Sequence, residues 1–158
     1  MARITLKDSG VIFNKENHTY KLNGKMLQGI TTMLQRQLFS TEYEGIPWAI
    51  VKKAGEYGSQ VHDSCEDFDK NWNNNGTQEV QDYISICREY GFTHEASEYT
   101  VTDGNNFASN IDKVFRVSDN TFDLADLKTY GKLTADKLED LMRVQVDAVK
   151  NIKIDKVT

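Results

Sequence analysis

The stretch FASNIDKVFRVSDNTFDLADLKTY, residues 107–130, decides the fold because it predicts two strands joined by a short polar turn. Its flanks are apolar and rich in residues that favour strands, and residues 118–121 (SDNT) have the composition of a turn. Since side chains alternate along a strand, Asp126 and Lys128 share one face and Leu127 points to the other. If the pairing sets Asp112 opposite Asp126, their Cβ atoms lie about 5 Å apart.

Two carboxylates this close on one sheet face repel each other unless a positive charge lies between them. A divalent metal ion with oxygen ligands supplies that charge, and Lys128 beside it can orient a water molecule or stabilise a developing anion. The structural alternative is an ordinary salt bridge, of Asp126 with Lys128 and of Asp112 with Lys113 or Lys128. The position of Asp126 after an apolar segment favours function, because a buried Asp needs a partner. The metal hypothesis requires a register that puts both acids on one face.

Size and composition indicate one globular domain. The chain has 158 residues, of which 39% are hydrophobic and 27% charged, which argues against a disordered or membrane-embedded protein. No apolar run approaches the roughly 20 residues that span a bilayer, and the segment MARITLKDSG lacks the apolar core of a signal peptide. We therefore expect a cytoplasmic protein. The net charge of −5 argues against tight, non-specific binding of long duplex DNA.

The two cysteines and two tryptophans favour structural explanations. Cys65 and Cys87 are too few for a disulfide scaffold or a four-cysteine iron–sulfur cluster, and they occupy apolar helical positions, which predicts buried small side chains. No CxxC or HExxH spacing supports a zinc site. Trp48 and Trp72 could stack on nucleic-acid bases, but packing in the core is the better interpretation.

Periodicity along the chain predicts an alternation of strands and helices. We expect short strands between Val11 and Leu27 with a turn at Asn23-Gly24, and a strand over residues 92–102. Helices are predicted over 31–38, from Pro47 onward, over 56–72, from the cap Thr77 to near 91, and over about 134–151. The predicted fold is α/β, with a central mixed β-sheet, the 107–130 hairpin at its heart and helices on both faces.

Polar residues on these elements are ambiguous one by one. Beside the apolar stripe of the helix over residues 56–72 runs a polar row that contains His62, which is either a hydrogen-bonded structural residue or a metal ligand. Glu98 is either a solvated strand residue or a cleft acid. Gln145 falls on the buried face of the last helix, where its amide is satisfied by neighbouring backbone or points into a functional cleft.

As an ordered set, these residues resemble motifs of the PD-(D/E)XK nuclease superfamily, in particular its RecB-type and phage exonuclease branches. The motifs are, in chain order, GSQVH at 58–62, Glu98, NID at 110–112, DLKT at 126–129 and Gln145. The segments HTY at 18–20 and GITTML at 29–34 also resemble the opening of phage members. Each motif is short, and the resemblance gains its specificity from their order and spacing across most of the chain.

The resemblance implies a restriction-endonuclease-like core and a site for Mg²⁺ or Mn²⁺. Asp112 and Asp126 are expected to bind the ion, His62 to complete or flank the metal shell, and the backbone carbonyl of Leu127 to add a ligand. Relatives often continue with another strand beyond the position of Gln145. The resemblance thus predicts a single nuclease-like domain over residues 1–158 that is shortened at its carboxyl end.

The implied activity is metal-dependent hydrolysis of DNA phosphodiester bonds. Lys128 is expected to act on the attacking water together with Asp112 and Asp126, while Glu98 and Gln145 are supporting residues of the cleft. Candidate DNA-binding cations are Lys52, Lys53 and Arg143. The expected partners are DNA ends and, in phage or bacterial DNA processing and recombination, a second copy of the chain or a recombination protein.

Two rival interpretations use the same residues. The first is a catalytically silent nuclease fold that binds nucleic acid or a protein partner, which the acidic composition favours and the intact Asp112, Asp126 and Lys128 disfavour. The second is a structural or assembly subunit whose acids are solvated. A register that puts Asp112 and Asp126 on opposite faces would support the second.

Overall fold

A computed structural model of the chain describes residues 3–129, 139, 140 and 143. It contains, in chain order, β1 (Ile12–Asn14), β2 (Thr19–Leu22), β3 (Lys25–Gly29), α1 (Ile30–Leu38), α2 (Trp48–Asn71), α3 (Gln78–Glu89), β4 (Thr93–Thr102), β5 (Phe107–Ser118) and β6 (Thr121–Ala125). None of the helices within these residues is both long enough and apolar enough to cross a membrane.

The strands form one mixed six-stranded sheet, which confirms the predicted α/β class. Its order is β1-β2-β3-β5-β4, with β6 also paired to β5. All the pairs are antiparallel except β3 with β5. The predicted turn at Asn23-Gly24 joins β2 to β3, and both residues have positive φ, +50° and +81°. A turn of this kind matches the twist of a two-residue hairpin.

The long strand β5 is the centre of the sheet and has partners on both edges. On one edge β4 pairs with residues 108–116 of β5. The other edge is shared: β3 pairs at 107–108 and β6 pairs from 113 to 118. Residues 109–112 therefore have no strand partner on that edge among the described residues, and β3 and β6 diverge around them. We call this gap the fork.

A single helix replaces two predicted ones. The sequence predicted one helix that starts at Pro47 and another over 56–72, but α2 runs without a break from Trp48 to Asn71. Pro47 precedes the first turn, and Trp72 ends the helix with a left-handed φ of +58°. The predicted burial of the tryptophans is wrong, since Trp48 is 72% and Trp72 80% exposed. Trp48 and Trp72 lie at the two ends of the helix, beyond the part of its apolar stripe that packs against the sheet.

The core lies between α2, α3 and the sheet. Its fully buried centre consists of Cys65, Val80, Tyr83, Ile84 and Phe115, and a second cluster holds Tyr20, Leu27 and Ala108. Cys65 is a buried small side chain as predicted, and burial raises the pKa of its thiol to about 11. Cys87 is half-buried. Both thiols are free, in agreement with the expectation of no disulfide scaffold.

The remaining helix predictions concern the cap at Thr77 and the last helix. Thr77 precedes α3, but its hydroxyl donates to Asn75 Oδ1 at 2.8 Å and does not cap the helix. The predicted helix over about 134–151 falls largely outside the described residues, although Glu139, Asp140 and Arg143 are helical. Gln145 also lies outside the described residues, and its predicted role stays a prediction.

Candidate active site

The hairpin register brings the two predicted acids to the same face. Lys113 of β5 lies opposite Ala125, the last residue of β6. One pair further along, the same register sets Asp112 opposite Asp126. The pairing therefore satisfies the condition of the metal hypothesis that both acids lie on one face. The interpretation as a structural subunit loses the opposite-face register that would have supported it.

Asp112 lies at the fork and contacts Leu127, His62 and Asp126. Oδ2 accepts a hydrogen bond from the backbone N–H of Leu127 at 3.0 Å and lies 3.7 Å from Nδ1 of His62. The side chain is only 17% exposed. Burial raises the pKa of Asp112 to about 6, and the Asp126 carboxyl, to which Asp112 is hydrogen-bonded, adds to the shift. Burial and the neighbouring carboxyl group therefore both disfavour the ionised form of Asp112.

His62 reaches this site from α2 and is held by the chain after β6. Its Nε2 lies 2.8 Å from the carbonyl oxygen of Leu127. A carbonyl only accepts, so Nε2 carries the proton, and in the neutral ring Nδ1 presents its lone pair towards Asp112. Helix α2 comes close to the chain after β6 at Gly58, where a Cβ would lie 3.2 Å from Thr129 Oγ1 and require a small shift. His62 is thus hydrogen-bonded as the structural interpretation expects and also lies beside Asp112, and its role as a metal ligand stays a prediction.

Glu98 reaches the site from β4 through an unusual backbone conformation. Its φ of +50° lies in the left-handed region, which non-glycine residues rarely adopt inside a strand. The β4–β5 pairs on either side put it at the register position that faces Asp112. Asn110 Nδ2 donates to Glu98 Oε2 at 3.0 Å, and Thr100 Oγ1 donates to Asn110 at 2.7 Å. Strain of this kind costs about 1–3 kcal/mol and clusters at functional sites.

Three side chains from three elements thus converge. One ligand atom each of His62, Glu98 and Asp112 lies within 4.8 Å of the other two, and within the described part of the chain this is the only such group of His, Cys, Asp or Glu. The three, which we call the triad, line a cleft of about 560 Å³ between β1, β2, α1 and α2. Lys15 and Asp63 form a salt bridge of 2.7 Å at this cleft.

Asp126 and Lys128 lie beside the triad. Lys128 Nζ is 2.5 Å from Asp126 Oδ2, and both side chains are more than half exposed. Lys128 lines a separate cavity of about 250 Å³ with Leu127, Thr129 and residues of α2 and α3. Asp126 thus contacts both Asp112, which lines the cleft of the triad, and Lys128, which lines the second cavity.

The predicted DNA-binding cations lie outside the cleft. Lys52 and Lys53 are exposed in the first turns of α2, and Lys52 pairs with Glu56 at 3.7 Å. Lys52 precedes the cleft residue Ser59 by seven positions, which places it on the same helix face about 10 Å away. Arg143 is exposed and pairs with Asp140 at 2.8 Å.

A second polar cluster lies on the other face of β5 and was not predicted. Lys113 donates to Asp69 Oδ2 at 2.5 Å and to Ser97 Oγ at 2.9 Å. The Tyr83 hydroxyl donates to the same carboxylate at 2.9 Å, and His94 Nε2 lies 2.9 Å from Ser97 Oγ. We call these five residues the buried network. The alternative in which Lys113 neutralises Asp112 is therefore wrong, because alternation turns Lys113 to the opposite face.

Comparison of the chain with protein-family models, with curated proteins and with solved structures finds no match. Two carboxyl groups and an imidazole converge at the triad, with a third carboxyl group in contact. Such a set of lone-pair donors is what a divalent cation requires.

Proposed function

We propose that this protein is a metal-dependent nuclease that hydrolyses DNA phosphodiester bonds. The observation that carries the proposal is the convergence of His62, Glu98 and Asp112 beside Asp126, on the face that the hairpin register selects. The restriction-endonuclease-like core with helices on both sheet faces, membership of the PD-(D/E)XK superfamily and a setting in phage or bacterial DNA processing belong to the same proposal.

The donor set fits the proposed ion. Ligands of one Mg²⁺ or Mn²⁺ ion lie about 2.1 Å from it and so about 3–4 Å from each other. The triad atoms lie within 4.8 Å of one another, so binding requires them to move closer together. Carboxylate oxygens suit both ions, while the imidazole nitrogen suits Mn²⁺ better than Mg²⁺. When bound, the ion would polarise the scissile phosphate and lower the pKa of a coordinated water molecule.

The protein's own groups prepare this chemistry. The Leu127 carbonyl accepts from Nε2 of His62 and so orients the ring with Nδ1 towards Asp112, which is the usual task of a residue behind a metal ligand. Asn110 orients Glu98 in the same way. The Lys128 ammonium, held by Asp126, would orient the attacking water and offset the negative charge that develops on the phosphate.

The test is nuclease activity on linear and circular DNA with Mg²⁺ or Mn²⁺. We expect Asp112→Ala to reduce cleavage to background and Lys128→Ala to reduce it about 100- to 1,000-fold. Asp123→Ala is the matched control, because Asp123 is an exposed acid on the same hairpin. Cleavage that survives both Asp112→Ala and Lys128→Ala would assign the activity to another protein. Digestion of linear DNA alone would identify an exonuclease.

One observation favours a second candidate, a nuclease fold that binds nucleic acid or a protein without cutting. Lys128 and the triad line different cavities, so the lysine does not face the cleft in this structure. Mn²⁺ binding that requires Asp112, together with DNA binding but no cleavage under any metal, would select this candidate.

A further inference from the structure

The cleft that holds the triad also contains a set of aromatic rings from the first two strands. Phe13 stacks on Tyr20 with ring centroids 4.9 Å apart and meets His18 edge to face at 5.7 Å. Tyr20 is buried, whereas Phe13 is half-buried and His18 is exposed. Phe13 and His18 therefore offer ring surface to a ligand while Tyr20 supports them from below.

The turn that carries His18 is held in place. The Asn14 side chain accepts hydrogen bonds from the backbone N–H groups of Glu16 and Asn17 at 2.9 and 3.2 Å. His18 has a φ of +50°, a left-handed conformation that His and Asn adopt more readily than most residues. The ring is thus presented by an ordered turn.

The charged groups that line the cleft do not supply the usual source of affinity for DNA, which is contact between basic side chains and phosphate groups. Among the described lining residues the one lysine is Lys15, whose ammonium is bound by Asp63 at 2.7 Å. Against it stand the carboxyl groups of Asp63, Glu98 and Asp112. Lys and Arg contacts to phosphate supply most non-specific binding to DNA. Here that contribution is small, and another interaction must hold the substrate.

Resting on the proposed nuclease function, we infer that the cleft binds a single unpaired deoxynucleotide, with its base against His18 and Phe13 and its phosphate at the triad. The cleft volume of about 560 Å³ lies in the range of sites for one small ligand. Stacking of a base on aromatic side chains tolerates any sequence and needs no basic surface. Thr31, Thr32 and Gln35 of α1 line the same cleft and offer hydrogen bonds to the sugar and phosphate. The substrate is then an unpaired strand end rather than intact duplex.

The test is equilibrium binding of fluorescein-labelled oligothymidine, ten nucleotides long, measured by anisotropy with Ca²⁺ in place of Mg²⁺ so that cleavage does not interfere. His18→Asn removes the ring but tolerates the left-handed backbone, and we expect it to weaken binding about tenfold. His18→Tyr keeps a ring and should stay within about twofold of the wild type. Glu16→Gln, an exposed change in the same turn, is the matched control and should also stay within twofold.

Two further readouts separate this inference from its alternatives. A blunt duplex of equal length should bind at least about tenfold more weakly than the single strand. The logarithm of the binding constant should fall with the logarithm of salt concentration with a slope shallower than about −2, as expected for few phosphate contacts. Equal binding by wild type and His18→Asn, preference for duplex, a steep salt slope, or no binding of the single strand would each overturn the inference.

The outcomes also distinguish this inference from the proposed function. Ring-dependent binding without cleavage in Mg²⁺ or Mn²⁺ would refute the nuclease proposal and leave the nucleotide site standing. Cleavage that depends on Asp112, with single-strand binding unaffected by His18→Asn, would refute the nucleotide site and leave the nuclease standing.

Discussion

Asp112 and Lys113 are neighbours on β5, yet their charges meet opposite surroundings. Lys113 points into the buried network, where Asp69 and Ser97 both accept hydrogen bonds from its ammonium. Asp112 belongs to the triad on the other face, and the charged groups nearest to its carboxyl include a second carboxyl, that of Asp126. We call the face of Lys113 compensated, because a buried carboxylate neutralises its charge. We call the face of Asp112 uncompensated, because burial and a neighbouring carboxyl raise the pKa of Asp112.

The difference separates stability from function. A buried ion pair with satisfied hydrogen bonds holds α2 against β5, and removing one partner leaves an uncompensated charge. Asp112 shows the reverse: burial and the neighbouring Asp126 carboxyl raise its pKa, so its negative charge raises the energy of the folded protein until something positive binds. The same helix serves both faces, with Asp69 in the buried network and His62 at the triad. We therefore interpret the buried network as the anchor that sets α2 and the triad as the binding site it positions.

The largest expected effect is on the compensated face. Lys113→Ala should destabilise the protein by about 3–5 kcal/mol, because Asp69 is then left buried without its cation. Urea unfolding at neutral pH measures the change. Lys128→Ala is the matched control: it removes a lysine from an ion pair on the same hairpin, but one that is 51% rather than 3% exposed. Its expected cost is at most about 1 kcal/mol. Equal costs for the two variants would remove the distinction between the faces.

On the uncompensated face a substitution should stabilise the protein. Asp112→Asn removes one of two close carboxyl groups, and in chelator at pH 7.5 it should raise the free energy of unfolding by about 1–3 kcal/mol. The pKa of Asp112 is about 6 in the folded protein and near 3.8 in the unfolded chain, so the folded state binds the extra proton. The cost therefore grows as pH rises through this window, and the gain from Asp112→Asn should be small at pH 4 and full above pH 7.

Two controls sharpen that expectation. Asp123→Asn, on the exposed side of the same hairpin, should change stability by less than about 0.5 kcal/mol at either pH. Added Mn²⁺ should stabilise the wild type and leave Asp112→Asn unchanged. A destabilised Asp112→Asn variant in chelator would show that the carboxylate is a structural group and not a ligand.

The smallest effect is expected at the mouth of the cleft. Lys15 and Asp63 pair at 2.7 Å, but their side chains are 63% and 59% exposed. Asp63→Asn should therefore cost at most about 1 kcal/mol and even less in 0.5 M salt, because solvent and ions screen the pair. Thermal unfolding at two salt concentrations tests this. A loss near that of Lys113→Ala would mean that pairing, and not burial, decides the contribution of a charge here.

The sequence predicts much of the local structure. Alternation and turn composition place the turn of the β5–β6 hairpin and the Asn23-Gly24 turn correctly, because both depend on neighbouring residues only. The predicted second strand was too long, since β6 ends at Ala125 and the segment from Asp126 to Lys128 lies beyond it. The sequence also named all three triad residues, but it gave Glu98 a supporting role in the cleft and expected Asp126, which is not among the three, to bind the ion. It fails at Trp72, whose helical spacing suggests burial although the helix ends there in the solvent. Periodicity reports the face of a helix and not how far its neighbour extends.

The sequence by itself determined that neighbouring side chains of the hairpin strands alternate between faces, because the alternation of a strand is a local property of the backbone, but it left open a pairing of Asp112 with Lys113. Only the tertiary structure decided which groups the Asp112 and Lys113 side chains contact on each face. The register of β6, the left-handed backbone of Glu98 and the close approach of α2 at Gly58 bring distant segments together. Those contacts depend on how elements cross and pack, and the local preferences that shape each element do not specify them.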